Sequence, residues 1–376
     1  MSLSSKTPRL LFIIMLVMMT LPLVFAFVPN SRGKALFGIQ SASKERINIW
    51  RMLDHTGQDR MEKAAKQTLG FCNHGVRLNN ELNYRLFHYS PAPKLIIGQK
   101  DFFYEDIYVN EYTGKDFVGE KTVIDNVRAL KTLQDSLHEK GIELLLVLEP
   151  GKVRFMPEYL PKQCRKGLQT NYDSYSRELR KQGVRHLDLN QYFRNVKSTA
   201  SHPLYSKHGI HWSTYGMWTA ADTLQKFIED QCGIVLNGFK HIGDSISNRN
   251  KDLDFDLEPP MNLMHELRHE DLGFPIMQFV PQPQSEKPQA LIIADSYAWS
   301  LWDNGILQHW FDRPLFWYYN STVYPEIWEP TARKADKSQI PNILKEKRVI
   351  LLMVTDANLR DFGWNAIEEI RGAALE

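Results

Sequence analysis

Ala290-Leu291-Ile292-Ile293-Ala294-Asp295-Ser296-Tyr297 is an uninterrupted apolar run that ends abruptly in an acid and a hydroxyl. Five apolar residues in a row suit a strand buried on both faces, and residues 298–310 that follow can form a helix. A strand, tight turn and helix in this order put Ser296 at the carboxyl edge of a parallel sheet, where open α/β folds build their sites. The start of the next helix also offers N–H groups able to stabilise an oxyanion. The plain alternative is that Asp295 or Ser296 only caps that helix. Asp295 is expected to hold the turn through backbone hydrogen bonds, and Ala294 tolerates most turn conformations other than those with positive φ.

Outward from this segment, short apolar runs alternate with amphipathic stretches. Leu95 to Ile97, Ile142 to Leu148, Arg185 to Leu187 and Val349 to Val354 read as further buried strands. Thr122 to Glu139 and Ser213 to Glu229 carry helical periodicity, the second with Met217, Ala220, Ala221, Leu224, Phe227 and Ile228 in one stripe. The pattern predicts an α/β fold with three α/β/α layers. Ser247 to Glu286, acidic and weakly periodic, reads as a long surface excursion. Glu45 to Phe71 reads as helix with a break at Thr56-Gly57. There is no internal repeat.

The 376 residues carry 46 basic and 44 acidic side chains, a net charge of +2, which gives nucleic acid no electrostatic foothold. Lys6 and Arg9 precede an uncharged apolar run over residues 10–28. As a helix its 19 residues would reach about 28 Å, near the hydrocarbon thickness of a bilayer, and the basic flank would keep the start of the chain cytoplasmic. Val24-Phe25-Ala26 resembles a processing site, so a cleaved signal peptide is the competing reading; both send the rest of the chain across the membrane. The expected organisation is a membrane anchor or signal over 1–33, a helical lead-in over 34–93 and one catalytic domain over 94–376. Cys72, Cys164 and Cys232 are too few and too far apart for a zinc knuckle, allow at most one disulfide, and no metal or cofactor is expected.

Lys207-His208-Gly209-Ile210-His211-Trp212-Ser213 stands just before the striped helix, with Ser213 as a good N-cap. His211 therefore sits in a loop entering that helix, and imidazole is the usual base for a serine nucleophile because its pKa lies near operating pH. A packed structural histidine is the alternative. Trp299, Trp302, Trp310, Phe316, Trp317, Tyr318, Tyr319, Tyr324 and Trp328 crowd the region after Ser296, either as sugar-stacking surfaces or as core.

Four segments in order, Gly98-Gln99-Lys100-Asp101-Phe102-Phe103, Glu149-Pro150-Gly151-Lys152, Gly209-Ile210-His211-Trp212 and Ala294-Asp295-Ser296-Tyr297, resemble the alginate O-acetyltransferase AlgX/AlgJ family, a permuted branch of SGNH hydrolase-like proteins. The resemblance implies an SGNH hydrolase-like (flavodoxin-like) domain behind an N-terminal transmembrane helix, in the bacterial periplasm. It implies Ser296 as nucleophile and His211 as general base, with Tyr318, Tyr319 and Asn320 on the substrate or oxyanion side. It further implies a polysaccharide acceptor and a polytopic membrane acyltransferase that supplies acetyl groups. Lys152 is a candidate contact for substrate anions, with a capping or surface role as the alternative reading.

The chain departs from the family at Gly209, where the pattern has the aspartate that orients the histidine. Glu149 and then Asp356, each at a strand end, are the candidate replacements. Without one, the protein is a slower Ser-His dyad or a non-catalytic glycan-binding scaffold. An acetylesterase with the same pair is the other enzymatic reading.

Overall fold

The computed structural model describes residues 6–25, 33–38, 72–249, 253–328 and 331–375. It divides into two compact units, residues 1–93 with 258–268, and residues 94–257 with 269–376. In the first unit, helix Cys72–Phe87 holds segment 258–268 through Asn80, whose amide donates to the Met261 carbonyl at 2.9 Å, and Glu81, which accepts from the Met264 N–H at 3.2 Å. The expected helix over 45–71 lies outside the described residues.

Among the described residues, no helix is long and apolar enough to cross a membrane. Helix Lys6–Phe25 contains 16 residues past its last charge, 10 to 25, which extend about 24 Å against the roughly 30 Å of a hydrocarbon core. The spanning anchor expected over 10–28 is not supported by this helix.

In the second unit, apolar runs pair into a six-stranded sheet. In chain order the strands are β1 (Leu95–Ile97), β2 (Phe103–Glu105), β3 (Glu143–Glu149), β4 (His186–Asp188), β5 (Gly238–Ser247), β6 (Leu272–Val280), β7 (Gln289–Ala294), β8 (Asp312–Tyr318), β9 (Thr322–Val323) and β10 (Val349–Thr355). The sheet order is β4-β3-β10-β7-β8-β9, parallel except for β9. Alternation sets the layers. Leu144, Leu146, Leu148, Leu291, Ile293, Ile350, Leu352 and Val354 face one core, with helices Glu120–Glu139, Asn171–Lys181 and Ala366–Leu375. The residues between them face the opposite layer, which includes helices Leu189–Val196 and Thr214–Cys232.

Helix Glu120–Glu139 shows why this packing holds. Val123, Val127, Leu130, Leu133 and Leu137 fall on one face and are buried, each contributing about 1.5–3 kcal/mol. Leu130→Ala would leave a cavity costing about 2–5 kcal/mol.

Three elements depart from expectation. Leu95–Ile97 pairs antiparallel with β2, outside the main sheet. β8 is a sheet strand although its sequence reads as an aromatic cluster. The expected surface excursion supplies β6 and the last residue of β5, which pair as a long antiparallel ribbon. Cys72, Cys164 and Cys232 are all free thiols.

Candidate active site

The carboxyl ends of β7, β10 and β3 form the floor of the site. Asp295, fully buried, holds the turn after β7: one carboxylate oxygen accepts from the Tyr297 N–H at 3.1 Å, the other from the Thr355 N–H at 2.9 Å, the Thr355 hydroxyl at 2.7 Å and the Asn358 amide at 2.8 Å. The Ala298 and Trp299 N–H groups bond back to the carbonyls of Asp295 and Ser296. The N–H groups of 297–299 are thus engaged within the turn. Ser296 is left half-buried with its hydroxyl directed to His211.

His211 is positioned by its own loop. Ser213 caps helix Thr214–Cys232 by accepting from the Gly216 N–H at 3.0 Å. The Trp212 indole donates to the Ser300 hydroxyl at 2.7 Å and the Tyr297 hydroxyl to the Ile210 carbonyl at 2.7 Å, so the loop is tied to the turn on both sides of the imidazole. The His211 Nε2 lies 2.8 Å from the Ser296 Oγ.

The other ring nitrogen, Nδ1, lies 2.5 Å from Oδ2 of Asp256, whose Oδ1 accepts from the Ile210 N–H at 2.8 Å. That contact assigns the proton to Nδ1 and leaves Nε2 free to accept from the serine. Burial alone would push the His211 pKa down, but the Asp256 charge and hydrogen bond, helped by Glu105 and Asp295, raise it above its ordinary value.

Asp256 was not among the expected residues, and Gly209 explains its place. A Cβ at 209 would fall 2.4 Å from the Asp254 carbonyl oxygen and 2.8 Å from the Ser206 hydroxyl. Glycine makes room for segment 254–257, which is fastened by the Leu257 N–H to the His208 carbonyl at 3.0 Å and by Asp254, which accepts from the Thr214 N–H at 3.1 Å. The acid missing at 209 is thereby replaced by one 45 positions beyond the histidine. The available signal was the run Asp252-Leu253-Asp254-Phe255-Asp256-Leu257, an alternation of acids and apolar residues unlike a solvated loop.

Neither expected orienting acid contacts His211. Glu149 is fully buried at the end of β3, where the Asp295 charge acts on it. Asp356 is buried against Arg154, Nε to Oδ2 at 3.3 Å, and Arg154 also donates to Glu111 at 2.7 Å. Lys152, read either as a contact for substrate anions or as a capping or surface residue, is fully buried and donates to the carbonyls of Phe103, Lys207 and Gly209 at 2.8, 2.7 and 2.6 Å. Burial lowers its pKa to about 7, against the opposing charges of Asp256 and Glu270. Asn320 is likewise structural: its amide donates to the Trp364 carbonyl and to Glu369, both at 2.9 Å.

The aromatic segment splits between the two roles foreseen for it. Trp310, Phe316 and Trp317 are buried. Trp299 and Tyr318 are half-buried, stand 5.1 Å apart by ring centroid, and continue from His211, whose ring is 6.1 Å from Trp299. Tyr319 packs on Tyr318 at 4.5 Å, and its N–H donates to the Ala294 carbonyl at 2.9 Å.

Against known proteins, residues 95–241 match the family model described as the SGNH hydrolase-like domain of acetyltransferase AlgX, a span that contains His211 and stops short of Ser296. The probable alginate O-acetylase AlgJ of Pseudomonas aeruginosa is 26% identical over 151 residues, 40% of this chain and 37% of that protein. The chain is AlgX/AlgJ-like. The AlgJ of Pseudomonas putida, also described as a probable alginate O-acetylase, is 23% identical over 165 residues, 44% of this chain and 40% of its own length. This AlgX/AlgJ-like chain thus aligns with less than half the length of these curated relatives. In three dimensions, the O-acetyltransferase domain of Pseudomonas putida AlgJ superposes with a TM-score of 0.51 at 18% identity, over 75% of this chain and 99% of that domain. The fold is SGNH hydrolase-like α/β.

Proposed function

We propose that the protein is an O-acetyltransferase that moves acetyl groups onto a cell-surface or exported polysaccharide through an acetyl-Ser296 intermediate. The observation that carries this reading is the hydrogen-bonded series Ser296, His211, Asp256, at 2.8 and 2.5 Å, which is the arrangement of an activated serine nucleophile. The likeness to AlgJ, described as a probable alginate O-acetylase, supports acetyl as the group and a glycan as the acceptor.

The Ser296 Oγ attacks the carbonyl carbon of an acetyl ester while His211 Nε2 takes the hydroxyl proton. The bond from that carbon to the donor oxygen then breaks, and the imidazolium returns the proton to the departing alkoxide. Asp256 stabilises the imidazolium through Nδ1. A sugar hydroxyl next attacks acetyl-Ser296, His211 takes its proton, and the serine hydroxyl is regenerated with that proton. The faces of Trp299 and Tyr318 beside His211 suit a sugar ring.

An address outside the cytoplasm belongs to the same proposal, since Lys6 and Arg9 before the apolar residues 10–28 have the pattern of an export signal. Acetyl-CoA is a cytoplasmic donor, so a polytopic membrane acyltransferase would supply the ester. A hydrolase would use the same three residues with water as acceptor. Incubating the full chain with an acetyl ester, with and without a defined oligosaccharide, separates the two. Acetyl appearing on the sugar at the expense of free acetate is the expected result, and acetate release that added sugar leaves unchanged would overturn transfer.

A further inference from the structure

Behind the nucleophile turn lies a second carboxyl group that the proton transfers above do not use. Glu149 ends β3, and the parallel register sets it directly beside Thr355 of β10, the residue whose N–H and hydroxyl both donate to Asp295. Glu149 and Asp295 are each completely buried. Among the described residues, no hydrogen-bond partner reaches either carboxyl oxygen of Glu149, and the negative charge that acts on it is that of Asp295. The Asn190 amide, which does reach Glu149, donates at 2.8 Å to its backbone carbonyl.

A carboxylate in that position would be a buried charge with no donors beside a second negative charge, an arrangement costing several kcal/mol. The same atoms are satisfied if Glu149 retains its proton and donates it in a hydrogen bond. Asp295 already accepts from Tyr297, Thr355 and Asn358, and such a donor adds a bond that ties the turn to β3.

We propose that Glu149 is a permanently neutral acid whose hydroxyl donates to Asp295 and so positions the turn that presents Ser296 to His211. It is a positioning residue, with no contact to the reacting atoms. Burial and the Asp295 charge both raise its pKa well above the usual carboxyl range, in keeping with that role. The inference rests on Ser296 being the nucleophile, and its test is chosen to read Glu149 separately from that assumption.

Infrared difference spectra of the full chain against E149Q at neutral pH read the protonation state directly. The expected result is a protonated-carboxyl stretching band present in the wild type and lost in E149Q; its absence from the wild type would overturn the proposal whatever the enzyme does. In kinetics, the side-chain amide introduced by E149Q still donates to Asp295, so E149Q is expected to keep kcat within a few-fold, whereas E149L loses tenfold or more in kcat with KM unchanged. An E149L variant with wild-type kcat, or an E149Q variant as impaired as E149L, would also overturn it. If E149L does not fold, the spectra and E149Q still decide. Full activity in S296A would remove the nucleophile assignment while leaving the infrared result to stand or fall alone.

Discussion

The His211 ring nitrogen that faces away from Ser296 is held by Asp256, Nδ1 to Oδ2 at 2.5 Å, although the two residues are 45 positions apart. In the AlgX/AlgJ pattern the orienting acid stands two residues before the histidine, and here that position is Gly209. The acid has not been lost; it arrives from another segment, and the glycine is what lets that segment approach.

Asp256→Asn is expected to leave the fold intact and lower kcat by about 10⁴, because the wrong tautomer is favoured and the imidazolium loses its counter-charge. Steady-state kinetics with an acetyl ester, alongside an unchanged circular dichroism spectrum, checks this. Loss below about tenfold would mean the pair works as a dyad without Asp256.

Restoring the family's acid at 209 is expected to fail. Gly209→Asp places its Cβ against the Asp254 carbonyl at 2.4 Å, so segment 254–257 must move and carry Asp256 away. A stability loss of about 1–3 kcal/mol in urea and a fall in kcat are expected; Gly209→Ala should show the same direction with no new charge. Wild-type stability in both would show that the approach is not tight.

The pH profile carries a sign. His211 must be neutral to take the serine proton, so kcat/KM rises as pH climbs through its pKa, and the Asp256 contacts place that rise above the ordinary histidine value of about 6.5. Asp256→Asn should shift the rise to lower pH. Since the folded-state pKa is raised, the same pair adds stability that is fully present below the unfolded value of about 6.5 and is lost as pH increases through the folded value. Urea midpoints across that window, wild type against D256N, check the second statement.

Lys152→Met removes a buried ammonium that joins the Phe103, Lys207 and Gly209 carbonyls. Each orphaned buried carbonyl costs about 1–3 kcal/mol, so a destabilisation of at least about 2 kcal/mol is expected, with slower turnover from a loosened 207–211 loop. A role in substrate-anion binding would instead raise KM and leave stability unchanged.

Much of this architecture was legible because strands covered on both faces must be apolar throughout, and β3, β7 and β10 are. Ser296 and His211 were legible because each stands at a boundary between a recognisable element and a turn. β8 was hidden by Pro314 and its aromatic side chains, which read as a binding surface. The ribbon of β5 and β6 was hidden because its outer part, with Ile242, Ile246 and Ile276 exposed, lacks a clean inside and outside. Asp256 could not be read from spacing, because its partnership with His211 exists only after the 254–257 segment folds beside Gly209.

The most direct measurement is the intact mass of the full chain, quenched during turnover of an acetyl ester, with peptide mapping of the adduct. The account predicts one added acetyl group on the peptide containing Ser296, absent in S296A and discharged when oligosaccharide is added. Turnover that continues in S296A, or an acetyl group mapped to another residue, would contradict it.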